Sequence, residues 1–460
     1  MSTQQGHPTL KAGAACLDIT PPLGVAMAGY RRTRYAKGIH DPLCAKALVL
    51  DDGRRQIALV ALDLICISKE HVDRARESIE ERCGIPPEHV TCWATHIHTG
   101  PVTHEDMPAG DPDEEYMALL PRKIADSVEI AQGNLREARW GVGLGRQEGL
   151  SFNRRANRRG RPLPPGTNEL LQLLREGIVP QGPEIGLEEW EEKARAIDPE
   201  VGVLYFEGTD GSPIATLVNF ALHCDTVGGE LFSAGYPYYL SRVLKQAKGE
   251  DMIVLFANGP CGDINHIDRR RGPRKGFGEA ERIGTILAGE ALKVLADMEM
   301  NSSISLRAAG RRLVLPRKTI SEEEIEAAKD VLKRVPPDQD RRERFYAEDL
   351  LHLAGTEEEI RTEVQAVVLG DAALVALPGE VFVELGLEIK RRSPFMRTFV
   401  VELADDYVGY VPTREAFCEG GYEVMTARTS KLAPGAGEMM VEAALEVLEQ
   451  LARGRKELSL

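Results

Sequence analysis

Hydrophobic and polar positions form blocks of different period along the first hundred residues. Apolar, β-branched runs at residues 46–52 and 56–68 flank the polar turn DDGRRQ, a pattern typical of two strands joined by a short connection. Residues 69–84 have a helical pattern that ends at Gly84, which suits a C-cap. A third apolar run at residues 90–101 then predicts another strand. The order strand, helix, strand predicts a βαβ unit and a partly parallel sheet.

The rest of the chain repeats apolar runs and adds two charged segments. Strands are predicted at VGVLYFEG, PIATLVNFALH, IVLFAN and QAVVLGDAALVALPGE, and a long helix at residues 278–298. Residues 154–199 form a basic, then Pro-rich segment with a short acidic helix at 187–197, and residues 320–363 predict a solvated helical hairpin. The pattern therefore predicts an α/β fold with a mixed, partly parallel β-sheet core flanked by helices and with charged helical insertions.

Composition narrows the class of protein. Of 460 residues, 43% are hydrophobic and 28% charged, which is ordinary for a globular chain that buries a core. The net charge of −15 argues against nucleic acid or an anionic membrane surface as the main partner. No apolar run approaches the roughly 20 residues of a membrane helix, so stable membrane insertion is not expected. The start shows no signal peptide and the eight cysteines stand singly, which favours a reducing, cytoplasmic location.

Two histidines stand together in the motif THIHTGP. His96 and His98 are two residues apart at the end of an apolar run. In an extended chain, residues i and i+2 point to the same face, so both imidazoles are expected in one cavity. This arrangement suits either one metal ligand with one general acid/base, or two metal ligands.

Other candidates for the same site end further apolar runs. His223 closes NFALH, and Glu380 closes ALVALPGE; alone, each residue type at a strand end is more often structural. Together with THIHTGP they would form a mixed N/O site that keeps a position open for water. The glycines of NGPCGDIN would let backbone amides line an oxyanion site. Tyr407, Tyr410 and Tyr422 lie in a Gly-rich stretch, where they would ligate a metal or donate to an oxyanion.

The motifs AGAACLDITPP, GIHDPLCAKALVL, THIHTGP, NFALH, CGDIN, LPGE and YVGYVPTREAFCEGGYE, in this order, resemble those of the neutral/alkaline (non-lysosomal) ceramidase family. The resemblance extends from about residue 12 to 423. It implies a single catalytic domain over residues 1–460, with insertions at about 154–199 and 320–363. The chain ends before the point where secreted ceramidases continue into a C-terminal immunoglobulin-like domain, so that domain is not expected.

The resemblance also implies a set of site residues. One zinc ion per chain would be bound by His96, His223, Glu380 and Tyr410. Catalytic roles would belong to His98, Tyr422, Arg154 and Asn265. Here His98 handles the proton, Tyr422 and Arg154 contact the substrate carbonyl, and Asn265 stands where the family has a serine. Asparagine cannot act as a nucleophile, so the resemblance implies attack by a metal-activated water rather than an acyl-enzyme.

The sequence therefore predicts a zinc-dependent hydrolase that cleaves the C–N amide bond of a small or amphiphilic N-acyl substrate. Without an export signal or a lipid-binding helix, a smaller and more polar amide than ceramide is favoured. One alternative is a zinc esterase or lactonase on the same site, and another is an inactive binding protein, for which Asn265 is the main support. Aminopeptidase-like activity on peptides is a third alternative, but no HExxH motif in the sequence supports it. The sequence is compatible with a homo-oligomer as well as with a monomer.

Overall fold

Strands form the centre of the fold, and helices form its outer layers. The computed structural model of the protein describes residues 9–457 except for 109, 157–162, 164–166, 178–195, 269, 273, 338, 340 and 358. The strands are β1 (Lys11–Asp18), β2 (Ala26–Met27), β3 (Arg34–Tyr35), β4 (Gly38–Ile39), β5 (Cys44–Asp51), β6 (Gln56–Leu62), β7 (Val90–Ala94), β8 (Arg136–Arg146), β9 (Phe152–Asn153), β10 (Glu200–Gly208), β11 (Pro213–Phe220), β12 (Leu231–Phe232), β13 (Ile253–Asn258), β14 (Ile264–Asn265), β15 (Leu306–Pro316), β16 (Glu359–Leu369), β17 (Ala372–Ala376), β18 (Glu380–Val381), β19 (Arg397–Val401) and β20 (Tyr410–Val411). The α-helices are α1 (Lys69–Cys83), α2 (Glu114–Gly133), α3 (Glu169–Glu176), α4 (Tyr236–Lys248), α5 (Phe277–Ala296), α6 (Glu322–Arg334), α7 (Arg342–Ala354), α8 (Val383–Arg392), α9 (Arg414–Glu419) and α10 (Ala436–Glu457).

Within the described residues, the largest sheet has the strand order β13-β11-β10-β8-β1-β5-β6-β7. β6 and β7 are parallel, as are β11 and β13, whereas the other neighbours in this sheet are antiparallel. The predicted mixed, partly parallel sheet is therefore confirmed, and β6, α1 and β7 form the predicted βαβ unit. The helix α1 ends as predicted, at a C-cap glycine, Gly84, with φ 68°.

A smaller sheet, β15-β16-β17-β19, packs on one face of the larger one. In β5 the residues Leu48 and Leu50 face the smaller sheet, while Ala47 and Val49 face α1, α2, α4 and α5 on the other side. Both faces of β5 are thus buried, which explains its continuous apolar run. The helices α8 and α10 cover the outer face of the smaller sheet. The result is a stack of four layers, helix, sheet, sheet and helix.

Residues 402–405, which we call the strap, join the two edges of the larger sheet. The backbone N–H of Glu402 donates to the carbonyl of Asn258 in β13 at 3.0 Å, and that of Asp405 donates to Cys92 in β7 at 2.8 Å. Leu403 and Asp405 have φ values of 56° and 62°, a left-handed conformation that costs a non-glycine residue about 1–2 kcal/mol. The larger sheet is therefore curled, and the ends of β7, β13 and β17 lie close together.

The charged segments are only partly as predicted. The acidic helix predicted at residues 187–197 lies, except for its last two residues, outside the described residues. The second segment does contain a helical hairpin, α6 and α7, but residues 359–363 belong to β16. None of the described helices is long and apolar enough to cross a membrane.

Candidate metal centre and cavity

His96 lies in a turn rather than in a strand. The predicted strand at residues 90–101 is shorter, because β7 ends at Ala94. His96 has φ 62°, and its Nδ1 lies 2.9 Å from the carbonyl oxygen of Ile65. The i, i+2 argument for an extended chain is therefore wrong at His96. Its conclusion still holds, because the rings of His96 and His98 have centroids 5.0 Å apart and line the same cavity.

His223 faces His96 from the other edge of the sheet. It follows β11, and its Nδ1 lies 3.3 Å from the carbonyl oxygen of Cys261. A carbonyl can only accept, so Nδ1 carries the hydrogen in both histidines, and in a neutral ring Nε2 then presents a lone pair. The two Nε2 atoms are 3.0 Å apart. Both side chains are buried, and in their neutral forms the two rings direct these lone pairs at the same point.

Glu380 brings a third lone-pair donor to this point. The parallel pair β18–β20 sets Glu380 opposite Tyr410. The hydroxyl of Tyr407 donates to Oε1 of Glu380 at 3.0 Å, whereas Oε2 lies 3.5 Å from Nε2 of His96. Within the described residues Oε2 accepts no hydrogen bond. Burial opposes ionisation of this carboxyl, but His96, Arg154 and the Tyr410 hydroxyl together outweigh burial and hold the pKa of Glu380 below its usual value.

These distances suit a tetrahedral zinc ion. Zinc binds nitrogen and oxygen at about 2.0–2.2 Å, which separates two ligand atoms by roughly 3.3 Å. The observed separations of 3.0 Å and 3.5 Å lie on either side of that value. His96, His98 and His223 also form a buried group whose ring nitrogens lie within 4.8 Å of one another, so a metal site with three histidines is equally compatible.

His98 is buried beside this group without a hydrogen-bond partner for either ring nitrogen among the described residues. Burial lowers its pKa to about 4, although Asp225, 3.9 Å from Nδ1, raises it in part. His98 is therefore neutral near pH 7. Gly29, with φ 102°, packs against the ring, and a Cβ there would lie 2.6 Å from Cβ and Cγ of His98. Lys275 and Tyr30 hold Asp225 in place by hydrogen bonds.

Arg154 lies behind the tyrosines of the site. Its Nη2 donates to the carbonyl of Gly262 at 2.6 Å and to the hydroxyl of Tyr410 at 3.3 Å. Its guanidinium carbon is 5.3 Å from the centre of the Tyr422 ring, and its Nε donates to Glu423 at 3.2 Å. The structure therefore brings Arg154, Tyr410 and Tyr422 together, and their roles in the site stay predictions.

Asn265 is held in a different way. It lies in β14, and its Oδ1 accepts from the backbone N–H of Ile267 at 2.9 Å. It is not among the described residues that line the cavity, so its catalytic role stays a prediction. The neighbouring Asp263 accepts from Asn153 and from the backbone of Val383 at 2.7 and 2.9 Å. Asp263 therefore fixes the loop and does not face the cavity.

The cavity above the candidate metal centre has a volume of about 340 Å³. Its walls include residues that the sequence did not single out: Tyr30, Ile65, Met107, Arg342, Phe345 and Tyr346. Glu402 was also missed; it is fully buried, burial raises its pKa to about 8, and it accepts from the Cys261 thiol at 2.8 Å. Its only sequence signal is a carboxylate directly after the apolar run of β19.

Solved structures of other proteins share this fold. No protein-family model matches the chain. A solved structure of neutral ceramidase from Pseudomonas aeruginosa is similar, with a TM-score of 0.72 and 19% identity over 96% of this chain and 75% of that one. A structure of ceramidase complexed with C2 has a TM-score of 0.72 and 18% identity over 97% of this chain and 75% of that one. The chain therefore has the fold of the neutral ceramidases.

Proposed function

We propose that this protein is a zinc-dependent amidohydrolase that cleaves the C–N bond of an N-acyl substrate. The observation that carries the proposal is the contact between the Nε2 atoms of His96 and His223, with Oε2 of Glu380 beside them. Neutral Nε2 atoms and a carboxylate oxygen at these distances repel one another, and a cation bound between them removes that repulsion. The likeness to ceramidases, which are amide hydrolases, supports the reaction class.

Four side chains would hold the metal: His96, His223, Glu380 and Tyr410. Zinc bound there would polarise a carbonyl and bring the pKa of a coordinated water to about 7. The carbonyls of Ile65 and Cys261 fix the tautomers of the two histidines, and the Tyr407 hydroxyl fixes the orientation of Glu380.

His98 would move the proton. Because burial keeps it neutral near pH 7, it accepts a proton as water attacks and then donates that proton to the leaving amine. Tyr422 and Arg154 would donate to the oxygen of the substrate carbonyl as negative charge develops on it. Tyr422 is 41% exposed and lines the cavity, so it is within reach of a substrate. Asn265 would position water or substrate.

Elemental analysis of the zinc content per chain tests whether the proposed metal site binds zinc. We expect about one zinc ion per chain in the wild type and its loss in His96→Ala and Glu380→Ala, with circular dichroism to check folding. His352→Ala is the matched control, because this exposed histidine lies outside the cluster. A folded wild type that binds no zinc when zinc is supplied would refute the proposal.

A panel of short N-acyl amides and matched esters tests the reaction. We expect the zinc-loaded wild type to release the amine from amides, and His96→Ala to lose this activity. If only the esters are cleaved, the proposed amidase activity is wrong and the site is that of an esterase. Cleavage of neither, with zinc bound, would favour a binding protein.

A further inference from the structure

The helix α7 forms part of the cavity wall, although its charges predict a solvated helix. Arg342, Phe345 and Tyr346 line the cavity. The buried carboxylate of Asp349 anchors α7, because it accepts from the backbone N–H and from Nε of Arg428 at 3.0 and 2.7 Å. Apolar residues of α7 also pack with α3 and α6 in one cluster. The wall is therefore built into the fold.

The charges on the cavity lining are mainly positive. Arg31 and Arg342 line it, whereas Glu380, a proposed metal ligand, is the only carboxylate among the described lining residues. Arg342 is exposed and forms no ion pair within the described part of the chain, and its guanidinium carbon lies 5.8 Å from the centre of the Tyr346 ring. In a chain of net charge −15, such a cavity attracts an anionic group.

The remaining lining offers an apolar surface for an acyl chain. Ile65, Met107, Pro108 and Phe345 form an apolar wall, on which an acyl chain would lie. The cavity volume of about 340 Å³ lies within the range of small-molecule sites, so a short acyl chain with its amide and a small head group would fit.

Resting on the amide hydrolysis proposed above, we infer that the substrate is an N-acyl amide with one short acyl chain and a carboxylate on the amine side, as in an N-acyl amino acid. Arg342 binds the carboxylate, and the apolar wall binds the chain. Hydrolysis breaks the C–N bond: the acyl carbon takes the oxygen of water, and the released amine takes the proton. The products are a short fatty acid and an amino acid.

The test compares two substrates that differ in the head group. N-hexanoylglycine carries a carboxylate, and N-hexanoylethanolamine has an uncharged hydroxyl in its place. We expect wild type to have a higher kcat/KM for the glycine compound, and Arg342→Met to lower that value about 10- to 100-fold with little change for the ethanolamide. Arg342→Lys should restore part of the preference. Arg453→Met, which removes an exposed arginine on α10, is the matched control and should change neither value.

The outcomes separate this inference from the proposed function. Cleavage of both amides with equal kcat/KM, or an equal loss on both in Arg342→Met, would overturn the role of Arg342 and leave the amidase in place. Cleavage of neither, while other amides of the panel are cleaved, would overturn the inferred substrate, and cleavage of no amide at all would refute the proposed function. Calorimetric binding of N-hexanoylglycine would then decide: weaker binding by Arg342→Met supports the anion site, and unchanged binding overturns it.

Discussion

Replacing Lys46 by methionine would remove the positive charge from a buried ion pair. The Lys46 Nζ donates to both oxygens of Asp63 at 3.0 and 2.8 Å, and the side chains are 9% and 1% exposed. Asp63 follows β6, where it also accepts from the backbone N–H of Cys44 at 3.0 Å. Without Lys46, its carboxylate would lack a counter-charge in the interior, a situation that commonly costs about 3–5 kcal/mol.

Proton uptake by Asp63 limits this cost and makes it depend on pH. Burial already raises the pKa of Asp63 with Lys46 present, so the pKa rises further in the variant. Protonating an aspartate of unfolded pKa about 3.9 costs about 1.4 kcal/mol for each pH unit above that value. The limit is therefore about 4 kcal/mol at pH 7 and about 1.5 kcal/mol at pH 5. A group whose pKa is raised on folding contributes stability that is lost as pH rises, so the larger loss at pH 7 has the expected sign.

Thermal unfolding at the two pH values measures the effect. An unfolding entropy of about 2.1 cal/mol/K per residue gives about 1 kcal/mol/K for 460 residues. Lys46→Met should therefore lower Tm by about 4 °C at pH 7 and by about 1.5 °C at pH 5. Lys333→Met, which removes an exposed lysine of α6 that pairs with Asp330, should leave Tm unchanged. Equal losses at both pH values would refute the reasoning.

Three further predictions concern the candidate site. Gly29→Ala should keep zinc but lower kcat about 100-fold, because the new Cβ displaces His98; a wild-type kcat would contradict this. His98→Ala should also keep one zinc ion while kcat falls about 10²- to 10⁴-fold, whereas loss of zinc would identify His98 as a ligand. Removing zinc with a chelator should lower Tm by about 3 °C relative to protein with zinc at about 100 times its Kd, and an unchanged Tm would count against the site.

The sequence predicted the elements that depend on local pattern. Local sequence preference agrees with the structure in the apolar runs of β5 and β6. It also agrees in the helical period of α1, which ends at Gly84. Their order was enough to predict the mixed sheet. The two histidines of THIHTGP were also found, but the left-handed turn at His96 was not, because it depends on a hydrogen bond to the distant Ile65.

Features that depend on long-range packing could not be read from one segment. The charges of α7 favoured a solvated helix, whereas the ion pair between Asp349 and Arg428 and the packing of α7 on α3 and α6 place Arg342 at the cavity. The proposed ligands lie far apart along the chain, and the strap is what joins the strand ends that carry them. No local pattern distinguishes the strap from an ordinary loop after β19.

The strap also has a consequence for association between chains. β7 and β13 are the outer strands of the larger sheet, and an outer strand presents unpaired backbone groups that can template pairing with another chain. Because Glu402 bonds to the last residue of β13 and Asp405 to the middle of β7, one short segment occupies backbone groups of both outer strands. Its loss would expose two complementary edges at once. The same left-handed residues that bring the strand ends together therefore also protect the fold against edge-to-edge aggregation.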